Sequence, residues 1–270
     1  MRPLVRVRNV TPYDEGRLAK DPRCWALRRA ADRLAHHDDF PPPRDLHRVF
    51  DGTPPVRFVE AVPRRRRRRP GPIDVHSMYD ALITLEQRVP TRPRSWHDLM
   101  NALVWGTFPR AKRALHARQY RAMAESVAPG ARTLPRARTR EQDALALVDE
   151  GGVVLLAQNS RALDAPHHEQ RAHLRQMISS GVVCAVIFGH AIYESLVLEV
   201  APARVAGIAL LCGEPEGDFV EAADGALSRA LADETRFRGP GDLLRIELDE
   251  VTLHADPSIA RPLDPRIVCA

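Results

Sequence analysis

From His76 onward the chain alternates helix-period segments with apolar runs of only five to eight residues: VVLLA at 153–157, VVCAVIF at 182–188, RVAGIALL at 204–211 and LLRIEL at 243–248. Such runs are too short for buried helices and the right length for strands covered on both faces. Between and before them, the spacing of apolar positions predicts helices near 76–88, 96–106, 109–127, 140–149, 162–179 and 218–232. The expected class is therefore α+β or mixed α/β, predominantly helical with a small covered sheet. No internal repeat is visible. The longest apolar stretch, GVVCAVIFG at 181–189, is strand-sized and far short of the roughly 18 to 20 residues needed to cross a bilayer. The first residues, MRPLVRVRNVTPYDEG, hold no continuous apolar segment of signal-peptide type. A cytoplasmic protein without a membrane partner is expected.

The N-terminal third is less regular. Residues 1–22, with Pro3, Pro12, Gly16 and Pro22, read as an irregular arm. Trp25, Leu27, Ala30, Ala31 and Leu34 suggest a helix over 23–36, stopped by Pro41, Pro42 and Pro43. A short helix near 44–50 and a strand near 56–61 lead into an Arg/Pro-rich linker at 63–72. One globular domain over 23–255, interrupted by that linker, and a tail at 256–270 complete the expected organisation. Arg64 to Arg69 form an uninterrupted run, and without these six charges the formal net charge falls from +5 to −1. Basicity is thus a local feature. A run of this kind can bind nucleic acid or another polyanion through counterion release, although it lacks the interleaved aromatics of a base-stacking surface. Cys24, Cys184, Cys212 and Cys269 are widely spaced with no CxxC, which argues for reduced thiols rather than a zinc ribbon or disulfide framework.

Three polar blocks carry the chemistry. In WHDLMNALVWGTFPRAKRAL (96–115), Trp96, Leu99, Met100, Leu103 and Val104 share one helical face, and His97 and Asn101 lie at i and i+4 along its edge. Partial burial there shifts a histidine's proton affinity, and an amide or carboxylate fixes its tautomer. Ser95 and Asp98 have the S-x-x-D form of a helix cap. In the helix that follows, Arg118 points into the apolar face of Ala111, Leu115 and Ala122, so it requires a structural acid or an anionic ligand. The second block, Asp149-Glu150-Gly151-Gly152, sets two carboxylates against the dipole at a helix C-terminus. Arg118, a metal ion or solvent could offset them. The third, VVCAVIFGHAIYESLV, ends a strand at Gly189 and opens a helix carrying His190 and Glu194. That H-x-x-x-E spacing suits two metal ligands or a histidine oriented by a carboxylate, in the crevice beyond a strand's carboxyl end.

The blocks TRPRSWHDLMNALVWGTFPRAKRALHARQ (91–119), REQDALALVDEGG (140–152) and VIFGHAIYE (186–194) resemble the proteobacterial family described as domain of unknown function 3025. Weaker similarity extends the match over most of residues 23–215. The resemblance implies that Trp96, His97, Asp98, Asn101, Phe108, Pro109, Arg118, Asp143, Asp149, Glu150, Gly189, His190 and Glu194 belong to the family's pattern. It implies no activity, cofactor or fold. The chain departs from an expected Leu-Asn-Ala-Arg-His at Leu115-His116-Ala117-Arg118-Gln119.

Two functional expectations follow. One is an enzyme in which His97, Asn101, His190 and Glu194 act on a small molecule, with Asp98 and Arg118 in support. A divalent metal on Asp149, Glu150, His190 and Glu194 is a candidate cofactor. Such a set suits activation of water and hydrolysis of an ester, amide or phosphoester. No G-x-S-x-G, P-loop or G-x-G-x-x-G is present, which disfavours nucleophilic, nucleotide and dinucleotide chemistry. The other is a non-catalytic binding protein whose polar blocks hold the fold and whose basic arm contacts polyanions.

Overall fold

The computed structural model describes residues 11–14, 16–62, 71–157, 176–178, 183–202, 205–211, 218–246 and 248. Of the expected helix over 162–179, only 176–178 are described, and these are helical. Arg64 to Arg69, Cys212, Cys269 and the tail at 256–270 lie outside the described residues.

The fold is mixed α+β, with a four-stranded and a two-stranded sheet among helices. In the larger sheet, β3 (Gly152–Ala157) pairs antiparallel with β4 (Val183–Ile187) and parallel with β5 (Ala206–Leu211). The short β6 (Leu244–Arg245) closes the order β4-β3-β5-β6. Every residue of β3 is buried, which is why its sequence is continuously apolar rather than alternating. The last strand is shorter than the expected 243–248.

The helices follow their punctuation. After α1 (Arg17–Lys20) and α2 (Arg28–Asp32), α3 (Tyr79–Glu86) precedes α4 (Trp96–Thr107). The Ser95 hydroxyl accepts from the Asp98 amide at the start of α4. Phe108 breaks the chain, and Pro109 opens α5 (Pro109–Ser126) at a position where its missing N–H costs nothing. Thr139 and Gln142 form a reciprocal capping box at the start of α6 (Arg140–Gly151). Two further helices, α7 (His190–Val197) and α8 (Phe219–Ala232), complete the core packing. Helix α5 lies along α3 and α8, while α7 packs on α4 and α6. No described helix is long and apolar enough to cross a membrane.

Several expected elements take another form. Residues expected as a helix over 23–36 form a 3₁₀ turn at Pro22–Leu27 that runs into α2, because Asp21 and Pro22 cap a tight first turn. The segment near 44–50 is likewise 3₁₀, over Pro43–Val49. The expected 76–88 helix is a 3₁₀ turn at Val75–Ser77 followed by α3. It stops at Gln87, whose φ of 54° is left-handed. The chain then enters β2 (Arg88–Thr91), parallel to β1 (Arg57–Glu60).

One junction positions the candidate site. Helix α6 passes into β3 without a loop, and the amides of Phe188 and Gly189 both donate to the Gly152 carbonyl, at 2.9 and 2.8 Å. A Cβ on Gly189 would lie 2.5 Å from the Glu150 carbonyl and 2.6 Å from the Gly152 nitrogen, both backbone atoms. This close approach delivers the start of α7 to the last turn of α6. Gly189→Ala is therefore expected to lower stability by about 1–3 kcal/mol in urea unfolding. Gly241→Ala, where a Cβ meets nothing within 4 Å, is expected to change it by less than about 0.5 kcal/mol.

Candidate functional site

His97 and His190 meet across the α4–α7 contact, with their Nε2 atoms 3.1 Å apart and their rings edge to face at 4.5 Å. Each ring is held from its other nitrogen. His190 Nδ1 lies 2.8 Å from the backbone carbonyl of Asp149, which only accepts, so this nitrogen carries a proton. His97 Nδ1 lies 2.8 Å from Glu194 Oε2, and an ionised carboxylate also only accepts. If both rings were neutral, two Nε2 lone pairs would face each other at hydrogen-bond distance. The contact becomes favourable when one further proton lies between them, with one Nε2 donating and the other accepting.

The surroundings favour that proton. Four carboxylates, Asp80, Asp98, Asp149 and Glu194, stand against two permanent cations, Arg92 and Lys112. The hydrogen bond that His97 donates to Glu194, ahead of the opposing effect of burial, raises the proton affinity of His97. Burial pushes Asp149 upward, but the Lys112 ammonium, the largest opposing influence, holds its carboxyl well below the usual range. His190 is buried, whereas the His97 side chain is 36% exposed and gives the pair access to solvent.

Beneath the pair lies an apolar and charged floor. Lys112, fully buried on α5, places Nζ 2.6 Å from Asp149 Oδ1 and 5.8 Å from the Trp105 ring centre. Trp105 stacks on His116, whose Nδ1 is 2.9 Å from Asp80 Oδ1. Asn101 is buried one helical turn from His97 and meets the Tyr79 hydroxyl through Nδ2 at 3.3 Å. Burial, with Asp149, Asp98 and Asp80 nearby, pushes the Tyr79 phenol above its ordinary pKa. Tyr79 as a whole residue is nevertheless 39% exposed.

The sequence candidates thus separate. His97, Asn101, His190, Glu194 and Asp149 come together from three segments. Glu194 orients His97 on another helix rather than His190 on its own, because α7 turns that face toward α4. Glu150 points outward as an exposed residue. Asp149 approaches His190 only on its Nδ1 side, at 3.6 Å, so the expected quartet Asp149, Glu150, His190 and Glu194 does not assemble around one ion. Among the described residues no group of three or more His, Cys, Asp or Glu side chains is disposed to hold a metal.

Asp98 does not reach back to the helix cap but bonds the Arg92 backbone at 2.5 Å and its guanidinium at 2.6 Å. Arg118 is spent structurally, on Glu141 at 2.7 Å and on the carbonyls of Leu231, Asp233 and Arg236. Tyr79, Asp80, Trp105, Lys112 and His116 were not among the sequence candidates. For Lys112 a signal existed in its i, i+3, i+4 spacing with Leu115 and His116, both buried.

A separate open groove of about 1200 Å³ contains none of these groups. Its Arg29, Arg33 and Arg110 are paired with the groove's own Asp218, Asp51 and Asp224. The chemistry concentrates at the histidines, where titratable groups from five helices meet.

A family model described as Protein of unknown function (DUF3025) matches residues 70–238. No curated protein and no solved structure matches the chain.

The raised proton affinity of His97 has a consequence for stability. A group whose affinity rises on folding contributes fully below its unfolded pKa, and that contribution is lost as pH climbs through the folded value. The stability of the wild type over Glu194→Gln should accordingly be largest between about pH 5 and 6.5 and shrink at higher pH. Chemical denaturation across that range checks this, and a difference that grows with pH would contradict the assigned contact.

Proposed function

Because the chain belongs to the DUF3025 family, whose description assigns no activity, its function must be argued from the histidine centre, and we propose that this centre performs acid–base catalysis of hydrolysis. The observation that carries the reading is the 3.1 Å Nε2–Nε2 contact between two rings whose Nδ1 atoms are both committed to oxygen acceptors. A pair that holds one proton contains an acid and a base at once. His97, facing Glu194, is the protonated member, and His190, fixed as the Nδ1–H tautomer, presents a free Nε2.

A small molecule entering between the rings on the exposed His97 side would meet both. His190 Nε2 takes a proton from water as the oxygen adds to an ester, amide or phosphoester centre. His97 Nε2–H gives its proton to the leaving group. The proton gained by His190 then returns to His97 when the rings close, which restores the starting state. The Asp149 backbone carbonyl, 2.8 Å from His190 Nδ1, holds the ring in place while it is the imidazolium. Asn101, one helical turn from His97, and the Tyr79 hydroxyl to which it donates would supply polar contacts for orientation.

A second reading, a binding protein whose polar blocks hold the fold, draws on Asp98 and Arg118, both of which are occupied by partners within the chain. Screening p-nitrophenyl esters, anilides and phosphoesters separates the two. The acid–base reading expects turnover with a bell-shaped pH profile, falling about 10²- to 10⁴-fold in His97→Ala and His190→Ala while circular dichroism and unfolding midpoints stay near wild type. Equal turnover in both variants would contradict it. A stoichiometric metal in the purified protein, lost in His190→Ala, would replace it with metal-assisted hydrolysis.

A further inference from the structure

We propose that Lys112 is a positioning residue for the histidine pair: by neutralising Asp149 it keeps His190 the accepting member, so that the shared proton resides on His97. The inference rests on the acid–base reading and assigns the direction of proton transfer within it.

Asp149 presents two groups to His190, a backbone carbonyl 2.8 Å from Nδ1 and a carboxylate oxygen 3.6 Å from the same atom. The carbonyl fixes the tautomer whatever the charge. The carboxylate would do more, because an unopposed anion at that distance stabilises an imidazolium. His190 would then compete with His97 for the proton, and the acid and base would have no defined identity. Lys112 removes that competition, since its Nζ lies 2.6 Å from the same Oδ1 in a setting where screening by water is weak.

His97 has no equivalent neutralisation. Glu194 Oε2 bonds it at 2.8 Å, and Arg92, the other cation facing this cluster, is engaged by Asp98. Of the other charges near His97, Asp98 favours its protonation and Arg92 opposes it, both less strongly than Glu194. Tyr79 stays protonated, as its raised pKa requires, and Asp80 is directed to His116. The pair is thus polarised by Glu194 on the His97 side and, on the His190 side, by a cation that touches neither ring. The role also accounts for a fully buried lysine at the floor of the site, which packing alone would fill better with an apolar side chain.

The test reads ring protonation directly, without substrate. Full-length protein carrying ¹⁵N-labelled histidine is examined at fixed pH near neutrality, and the Nε2 shifts of His97 and His190 report which ring holds the proton. In wild type the proton is expected on His97. In Lys112→Met it should move substantially to His190. In Lys112→Met/Asp149→Asn, which removes both charges and leaves the backbone carbonyl, it should return to His97.

An unchanged distribution in Lys112→Met would overturn the proposal, as would a double variant that behaves like the single one, since that pattern denotes altered packing. Should Lys112→Met fail to fold, Asp149→Asn serves instead. It leaves Lys112 unopposed beside His190, so the pair should release its shared proton at lower pH than wild type, and an unmoved midpoint would overturn the role. Wild-type protein in which neither Nε2 is protonated would refute the acid–base reading itself, whereas a null result in the variants alone refutes only the part assigned to Lys112.

Discussion

The ion pair between Lys112 and Asp149 ties the first turn of α5 to the last turn of α6, with the lysine side chain fully buried. Removing either charge strands the other in a low-dielectric interior, which commonly costs about 3–5 kcal/mol. The pair also resolves a local conflict. A carboxylate in the final turn of a helix opposes the helix dipole, and Lys112 supplies the opposing charge that α6 does not carry in its own last turn. With that turn fixed, Gly152 can begin β3 immediately, Gly189 can close onto the Glu150 carbonyl, and His190 reaches the Asp149 carbonyl.

From this anchor the polar blocks divide by what they touch. Arg118, Asp98 and Asp224 fasten elements to one another. Asp224 on α8 accepts from the Ala111 and Arg110 amides at the start of α5, at 2.7 and 3.2 Å, and burial raises its pKa despite these bonds. The histidine pair behaves otherwise. Its contact is tolerable only with an extra cation between the rings, and one of the rings is open to solvent. A purely structural contact has little reason to combine those two properties.

Much of the fold was legible where local chemistry agreed with tertiary packing. Ser95, Pro109 and Thr139 mark the starts of α4, α5 and α6, and continuous apolar runs mark β3, β4 and β5. Strand β2 was not legible, because Arg88-Val-Pro-Thr91 carries little strand character of its own and is specified by pairing with β1, some thirty residues earlier. The site was half legible. His97, Asn101 and His190 stood out as polar residues that no cap or turn explained. The pairing of Glu194 with His97 was hidden, since spacing within one helix says nothing about which helix it faces. Lys112 was obscured by the other cations of α5, Arg110, Arg113 and Arg121, and its spacing with Leu115 and His116 marked it as buried without showing that its partner is Asp149 on α6. His116, in this floor, and Gln119, further along α5, each leave a buried polar atom without a protein partner among the described residues.

Sharing of one proton between His97 and His190 requires a hydrogen bond through their Nε2 atoms, 3.1 Å apart. Its most direct measurement is the scalar coupling between those nitrogens across the hydrogen bond, in uniformly ¹⁵N-labelled protein near neutral pH. A resolved coupling linking His97 Nε2 to His190 Nε2, lost when either residue is replaced, is the predicted result. Two Nε2 resonances with no mutual coupling, each at the shift of a neutral solvated imidazole, would contradict the account.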